Sequence, residues 1–186
     1  FFELPNGIET NCNVGGFGID GPISTIVGAS LAHKQKLHFL VVGDLAFFYD
    51  LNALGNRHIT SNLRILLVNN GRGIEFRQYD HTANQWGNDA DLYMAAGGHF
   101  GKQSPTLVKD FVSNMGFKYL SARTKNELES VWGDFVDNNL KDKPIILEVF
   151  TTPECERDAI QLMKRILPDK RSVADKIIGK VKSIIG

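Results

Sequence analysis

Cysteine is scarce: Cys12 and Cys155 are the whole complement of this 186-residue chain, too few and too far apart for a disulfide framework. Both are expected to be reduced thiols, as in a cytoplasmic protein. The five histidines are scattered and form no zinc-binding spacing with either cysteine. Neither sign of charge is in surplus, since lysine plus arginine and aspartate plus glutamate each number 21. A nucleic-acid partner and an acidic solvating tail are therefore both unsupported. No apolar run approaches the ~20 residues that span a bilayer, and no signal-peptide pattern opens the chain. Repeats and low-complexity segments are absent. The chain opens Phe1-Phe2-Glu3-Leu4-Pro5 without methionine, so a fragment or a processed chain is expected. Its length suits one domain with one sizeable core.

What the sequence does contain is a pair of short apolar runs with polar ends. Leu37 to Val42 (LHFLVV) and Leu63 to Val68 (LRILLV) are rich in strand formers and read as buried parallel strands. Gly43-Asp44-Leu45 leaves the first run and Asn69-Asn70 leaves the second. Carboxyl ends of parallel strands are where open α/β sheets bind ligands, so Asp44 and Asn70 should share one rim. A carboxylate oxygen and an amide oxygen are hard donors that suit Mg²⁺ with phosphate co-ligands. Beyond Asp44 a helix is expected to run to about Leu54, opening with free backbone N–H groups of Leu45 and Ala46 that favour a phosphate oxygen. Taken singly, Asp44 is a plausible helix cap and Asn69-Asn70-Gly71 a plausible turn. Their occurrence at equivalent ends of two successive strands favours a diphosphate site.

Other segments fill in an alternating pattern. Helical spacing covers Ile23 to Ala32, Pro105 to Met115 with Gly116 at its end, and Lys125 to Val136. Lys118 to Leu120 and Ile145 to Phe150 (IILEVF) are strand candidates. Gly71 to Asp91 is polar, irregular and long enough to be functional. From Glu154 onward the chain reads as helical and increasingly basic, with Ile177, Ile178, Val181, Ile184 and Ile185 forming an apolar stripe better suited to docking than to a membrane surface. Strands alternating with helices imply an α/β fold: a mainly parallel sheet with helices on both faces, three layers in all. Gly16-Phe17-Gly18-Ile19-Asp20-Gly21 also matches the glycine fingerprint of dinucleotide-binding folds. Glu9 to Val14 is a poor strand to precede such a fingerprint, and Asn69-Asn70 would be left without a role.

These motifs resemble the thiamine diphosphate-dependent enzymes, whose diphosphate-binding domain carries a Gly-Asp motif followed by paired asparagines. The resemblance covers most of the chain. Gly18-Ile19-Asp20-Gly21, Ser24-Thr25, Gly43-Asp44-Leu45 and Tyr49-Asp50-Leu51-Asn52-Ala53-Leu54 look most like the menaquinone-pathway branch, with acetolactate synthase-like enzymes as the wider neighbourhood. The resemblance implies a Rossmann-like diphosphate-binding domain over residues 1 to 186, the C-terminal part of a longer enzyme. It implies Mg²⁺ on Asp44, Asn70 and the backbone carbonyl of Arg72, and thiamine diphosphate against Gly18, Ile19, Asp20, Gly21, Gly43, Asp44, Leu45, Ala46, Asn70, Gly73 and Phe76. Ile19 would be the apolar wedge beneath the bent cofactor.

By the same resemblance no catalytic residue lies here, because the activating glutamate belongs to a separate pyrimidine-binding domain or subunit. The isolated chain is then inactive, and the whole is a homodimer or homotetramer acting on a 2-oxo acid. The expected chemistry is decarboxylation with acyl transfer, a carboligase. A simple 2-oxo acid decarboxylase, an acetolactate synthase-like enzyme and a non-catalytic assembly domain are the alternatives. Three positions depart from the menaquinone-pathway pattern. Val14 stands where that branch has arginine, which removes a paired donor for carboxylates. Glu75 occupies a normally apolar position, and Ala46 replaces a common serine. Arg72, Arg77 and His81 are loop cations that could compensate, each expected to be solvated.

Overall fold

The structure is a computed structural model that describes residues 4–14, 18–89, 103–139 and 142–166. Two compact units emerge: Glu9–Arg157, and the described parts of Phe1–Ile8 and Asp158–Gly186. In the first unit the order is α1 (Pro22–Ala32), β1 (His38–Gly43), α2 (Asp44–Tyr49), β2 (Leu63–Asn69), α3 (Leu107–Asn114), β3 (Lys118–Ala122), α4 (Lys125–Val136) and β4 (Ile145–Phe150). Helix α5 spans Pro153–Ile166. The stripe from Ile177 to Ile185 lies outside the described residues.

The four strands form one all-parallel sheet in the order β1-β2-β4-β3, with Gly43 opposite Val68 and Asn69 opposite Phe150. The central strands β2 and β4 are buried along nearly their whole length. That burial explains their unbroken apolar character, because neither face meets water. Alternate residues feed two cores. On one face Leu63, Ile65, Leu67 and Ile146 pack with Ile23 and Val27 of α1, Phe47 of α2, and Val108 and Val112 of α3. On the other, Ile145 and Leu147 pack with Phe135 of α4, flanked by Leu66, Leu120 and Val131. Helices therefore cover both faces, as an α/β layering requires.

Local signals set several boundaries. Pro22 at the start of α1 follows Gly21, whose φ of 78° lies in the left-handed region where glycine is favoured. Helix α4 opens with a reciprocal cap: Glu127 N–H donates to Thr124 Oγ1 at 3.2 Å and Thr124 N–H to Glu127 Oε2 at 3.2 Å. Pro105 lies two residues before α3, not within it, because Ser104 Oγ takes the Leu107 N–H at 3.1 Å and starts the helix there. The polar segment after Gly71 holds two short 3₁₀ turns, Ile74–Arg77 and Thr82–Trp86.

The helix expected to reach Leu54 ends at Tyr49, and a 3₁₀ turn, Leu51–Gly55, follows. Asp50 supplies the reason. Its carboxylate accepts Ser24 N–H at 2.5 Å and Ser24 Oγ–H at 2.6 Å, capping the first turn of α1, whose own cap residue Gly21 has no side chain. Asp50 leaves helical geometry, with φ −117° and ψ 19°, where it makes these bonds.

Candidate functional site

Asp44 is the first residue of α2, directly beyond β1, and is only 1% exposed. Its Oδ1 is buried and has no hydrogen-bond partner among the described residues. Burial raises its pKa from 3.8 to about 7; backbone N–H groups of Asp44 and Asn70 oppose the rise, while nearby Glu156 and Glu148 add to it. The structure thus joins Asp44 to the Asn70 backbone, as expected from adjacent strand ends. A buried carboxylate oxygen without a hydrogen-bond partner is costly, and the negative charge of Glu156 and Glu148 adds to that cost.

Asn69 and Asn70 leave β2 side by side, both largely buried. Asn69 Oδ1 accepts Gly71 N–H at 3.1 Å, and Asn70 Oδ1 accepts Arg72 N–H at 2.7 Å. Gly71 has a φ of 76°, which this tight turn needs and glycine permits. Each amide nitrogen meets a glutamate: Asn69 Nδ2 donates to Glu148 Oε1 at 2.6 Å, and Asn70 Nδ2 to Glu156 Oε2 at 2.8 Å. Tyr119 Oη–H donates to Glu148 Oε2 at 2.6 Å, and Thr151 Oγ1 to Glu156 Oε1. Burial pushes the Glu148 carboxyl and the Tyr119 phenol upward; the two hydrogen bonds to Glu148 oppose its rise. Gln103 Nε2 bridges the carbonyls of Asn69 and Thr151 at 2.5 and 2.8 Å, tying the ends of β2 and β4 together.

Sequence reasoning passed over Glu148, Glu156, Tyr119, Thr151 and Gln103. Glu148 left one trace, a lone carboxylate inside the apolar run IILEVF. The others are ordinary residues until the fold brings them in.

The two glycines of interest differ. A Cβ at Gly18, whose φ is 76°, would lie 2.7 Å from the Asn13 carbonyl oxygen, so this chain alone demands glycine there. A Cβ at Gly43 would meet nothing within 4 Å, and its φ of −78° suits any residue. Among the described residues no contact calls for glycine at 43. Gly18 to Gly21 lead into α1, with Ile19 half-buried, Asp20 exposed and the Asp20 carbonyl held by Asn13 Nδ2 at 2.6 Å. Gly73 precedes the turn that contains Glu75 and Phe76. Phe76 stacks edge-on against His81 at 5.5 Å between ring centroids.

Val14 is 80% exposed. His81 and Arg77 are not simply solvated: His81 Nδ1 accepts Ala83 N–H at 3.0 Å, and half-buried Arg77 reaches Asn88 Oδ1 at 3.5 Å. Both side chains are engaged in holding the loop. No strand occurs among the described residues before Gly18, which removes the context that a dinucleotide fingerprint needs. Among the described residues no three His, Cys, Asp or Glu side chains form a metal-ligating group, and the expected Asp, Asn and carbonyl set includes only one such side chain. Cys12 and Cys155 are free and exposed. No helix of the described residues is long and apolar enough to cross a membrane.

Among curated proteins, 152 residues are 40% identical to the 2-succinyl-5-enolpyruvyl-6-hydroxy-3-cyclohexene-1-carboxylate synthase of Bacteroides fragilis, covering 81% of this chain and 25% of that protein. The synthase of the same name from Christiangramia forsetii is 35% identical over 150 residues, covering 81% and 24%. That of Desulfotalea psychrophila is 36% identical over 141 residues, covering 76% and 24%. No family model matches the chain. The chain spans about a quarter of the length of the relatives it matches.

Proposed function

The chain belongs with the 2-succinyl-5-enolpyruvyl-6-hydroxy-3-cyclohexene-1-carboxylate synthases, a thiamine diphosphate-dependent family, and on that premise we propose that it is the diphosphate- and Mg²⁺-binding domain of such an enzyme. One observation carries the proposal: the buried, unpartnered Asp44 oxygen at the end of β1, beside Asn70 at the end of β2. Asp44, Asn70 Oδ1 and the Arg72 carbonyl are the oxygens that would hold the metal. Asn70 Oδ1 has a second lone pair beyond the one given to Arg72 N–H. The open space at Gly43 fits a backbone approached closely by a ligand. Leu45 and Ala46 offer N–H groups to phosphate oxygens, and Gly18, Ile19, Asp20, Gly21, Gly73 and Phe76 line the rest.

Thiamine diphosphate, when bound, supplies the carbanion chemistry for decarboxylating a 2-oxo acid and transferring the acyl unit. The chain's own residues bind and orient. Asp44 and Asn70 would hold the metal, whose charge would offset that of the diphosphate. By the family resemblance the activating glutamate comes from a pyrimidine-binding domain or subunit, which completes the site, and the isolated chain does not turn over. The whole enzyme is a homodimer or homotetramer of the cytoplasm in this reading. Calorimetric titration of thiamine diphosphate into the full-length protein tests it. Binding should require Mg²⁺ and be lost in Asp44→Ala; equal binding in excess chelator refutes the proposal.

A further inference from the structure

Both asparagines that end β2 are held by the same arrangement, repeated. A hydroxyl donates to a glutamate, the glutamate accepts an asparagine amide N–H, and the asparagine oxygen accepts the backbone N–H two residues on. For Asn69 the members are Tyr119, Glu148 and Gly71. For Asn70 they are Thr151, Glu156 and Arg72. An ionised carboxylate only accepts, so the amide nitrogen must face it. The amide oxygen is then sent to the opposite side, toward the Arg72 backbone. Reversing the amide would set oxygen against carboxylate and NH₂ against N–H, losing both bonds and gaining two repulsions.

We propose that Glu156, braced by Thr151, is a positioning residue that fixes the Asn70 amide with its oxygen turned toward the metal site, and that Glu148, braced by Tyr119, holds the Asn69 turn in the same way. The proposal rests on the metal reading above. Glu156 is not among the ligands of that reading; each of its oxygens accepts one hydrogen bond, from Asn70 Nδ2 and from Thr151 Oγ1. Residues behind a ligand set its orientation, and their loss commonly costs roughly 10–100-fold in metal affinity. Glu156 also adds negative charge near Asp44, so charge and orientation must be separated experimentally.

Glutamine separates them. In Glu156→Gln the side-chain oxygen still accepts from Asn70 Nδ2 and its NH₂ donates to Thr151 Oγ1, whereas Glu156→Ala keeps neither. The measurement is Mg²⁺ affinity of the cofactor-free, full-length protein by calorimetry, with the melting temperature recorded for each variant. The expected result is an affinity within roughly threefold of the unsubstituted protein for Glu156→Gln and a loss of roughly tenfold or more for Glu156→Ala, with cooperative melting in both. Equal losses in both variants make charge the cause and overturn the positioning role. Unchanged affinity in Glu156→Ala overturns it as well. Failure of the unsubstituted protein to bind Mg²⁺ overturns the metal reading and the clamp with it, which distinguishes the two failures. Should Glu156→Ala not fold, Thr151→Val, which removes only the brace, is expected to weaken Mg²⁺ severalfold, and no change there refutes the proposal.

Discussion

Replacing Asp44 with asparagine should make the metal-free protein more stable at neutral pH while destroying its ability to hold a metal. Burial lifts the carboxyl from 3.8 to about 7, so the fold favours the protonated form. Below about pH 4 both folded and unfolded chains carry the proton and Asp44 costs nothing. As pH rises toward 7 the unfolded chain releases the proton while the folded chain retains it, and stability falls. Above pH 7 the loss is complete. At ~1.4 kcal/mol for each tenfold in proton affinity, the interval from 3.8 to about 7 corresponds to up to about 4 kcal/mol. Asp44→Asn has no such proton to lose. Denaturant unfolding in chelator should therefore show the two proteins nearly equal at pH 4 and the variant ahead by up to about 4 kcal/mol at pH 8. Mg²⁺ with thiamine diphosphate should then stabilise the unsubstituted protein and leave the variant unmoved. Parallel pH profiles for the two would show that Asp44 ionises like a solvated carboxylate, and the reasoning would fall.

Glycine substitutions give a paired test: Gly43→Ala should leave the melting temperature nearly unchanged yet weaken thiamine diphosphate binding in calorimetry, because its Cβ meets open space within the chain. Gly18→Ala should instead destabilise by ~1–2 kcal/mol in denaturant unfolding, since φ is 76° and the Asn13 oxygen lies 2.7 Å from the new Cβ. Asp50→Ala removes both bonds to Ser24 and should cost ~1–2 kcal/mol in the same assay. If Val14, in place of arginine, and Glu75, in a normally apolar position, face the reactive carbon of the cofactor, the full-length enzyme should prefer pyruvate and neutral aldehydes over the more anionic pair 2-oxoglutarate and isochorismate, unless loop cations replace the missing arginine. Product analysis with the two substrate sets decides that, and efficient use of the second set contradicts it.

Strands β2 and β4 were legible because burial on both faces leaves an unbroken apolar run, and α4 was legible because Thr124 and Glu127 carry its cap locally. The rim shared by Asp44 and Asn70 followed from parallel strands alone. The end of α2 was not legible, since Asp50 is recruited by Ser24, 26 residues away. The glutamates behind the asparagines were hidden for the same reason: Glu148 is 79 residues from Asn69, and Glu156 is 86 from Asn70. A lone carboxylate in IILEVF was the available hint, because a charge at the centre of a doubly buried strand must have partners. No comparable hint marks Gln103 or Thr151, whose roles depend on β2 and β4 ending together.

The most direct measurement is a crystal structure of the full-length protein with Mg²⁺ and thiamine diphosphate. One ion is expected within ~2.0–2.2 Å of an Asp44 carboxylate oxygen, Asn70 Oδ1 and the Arg72 carbonyl, bound also to the diphosphate. An ion held by other residues, or a diphosphate seated away from the ends of β1 and β2, would contradict it.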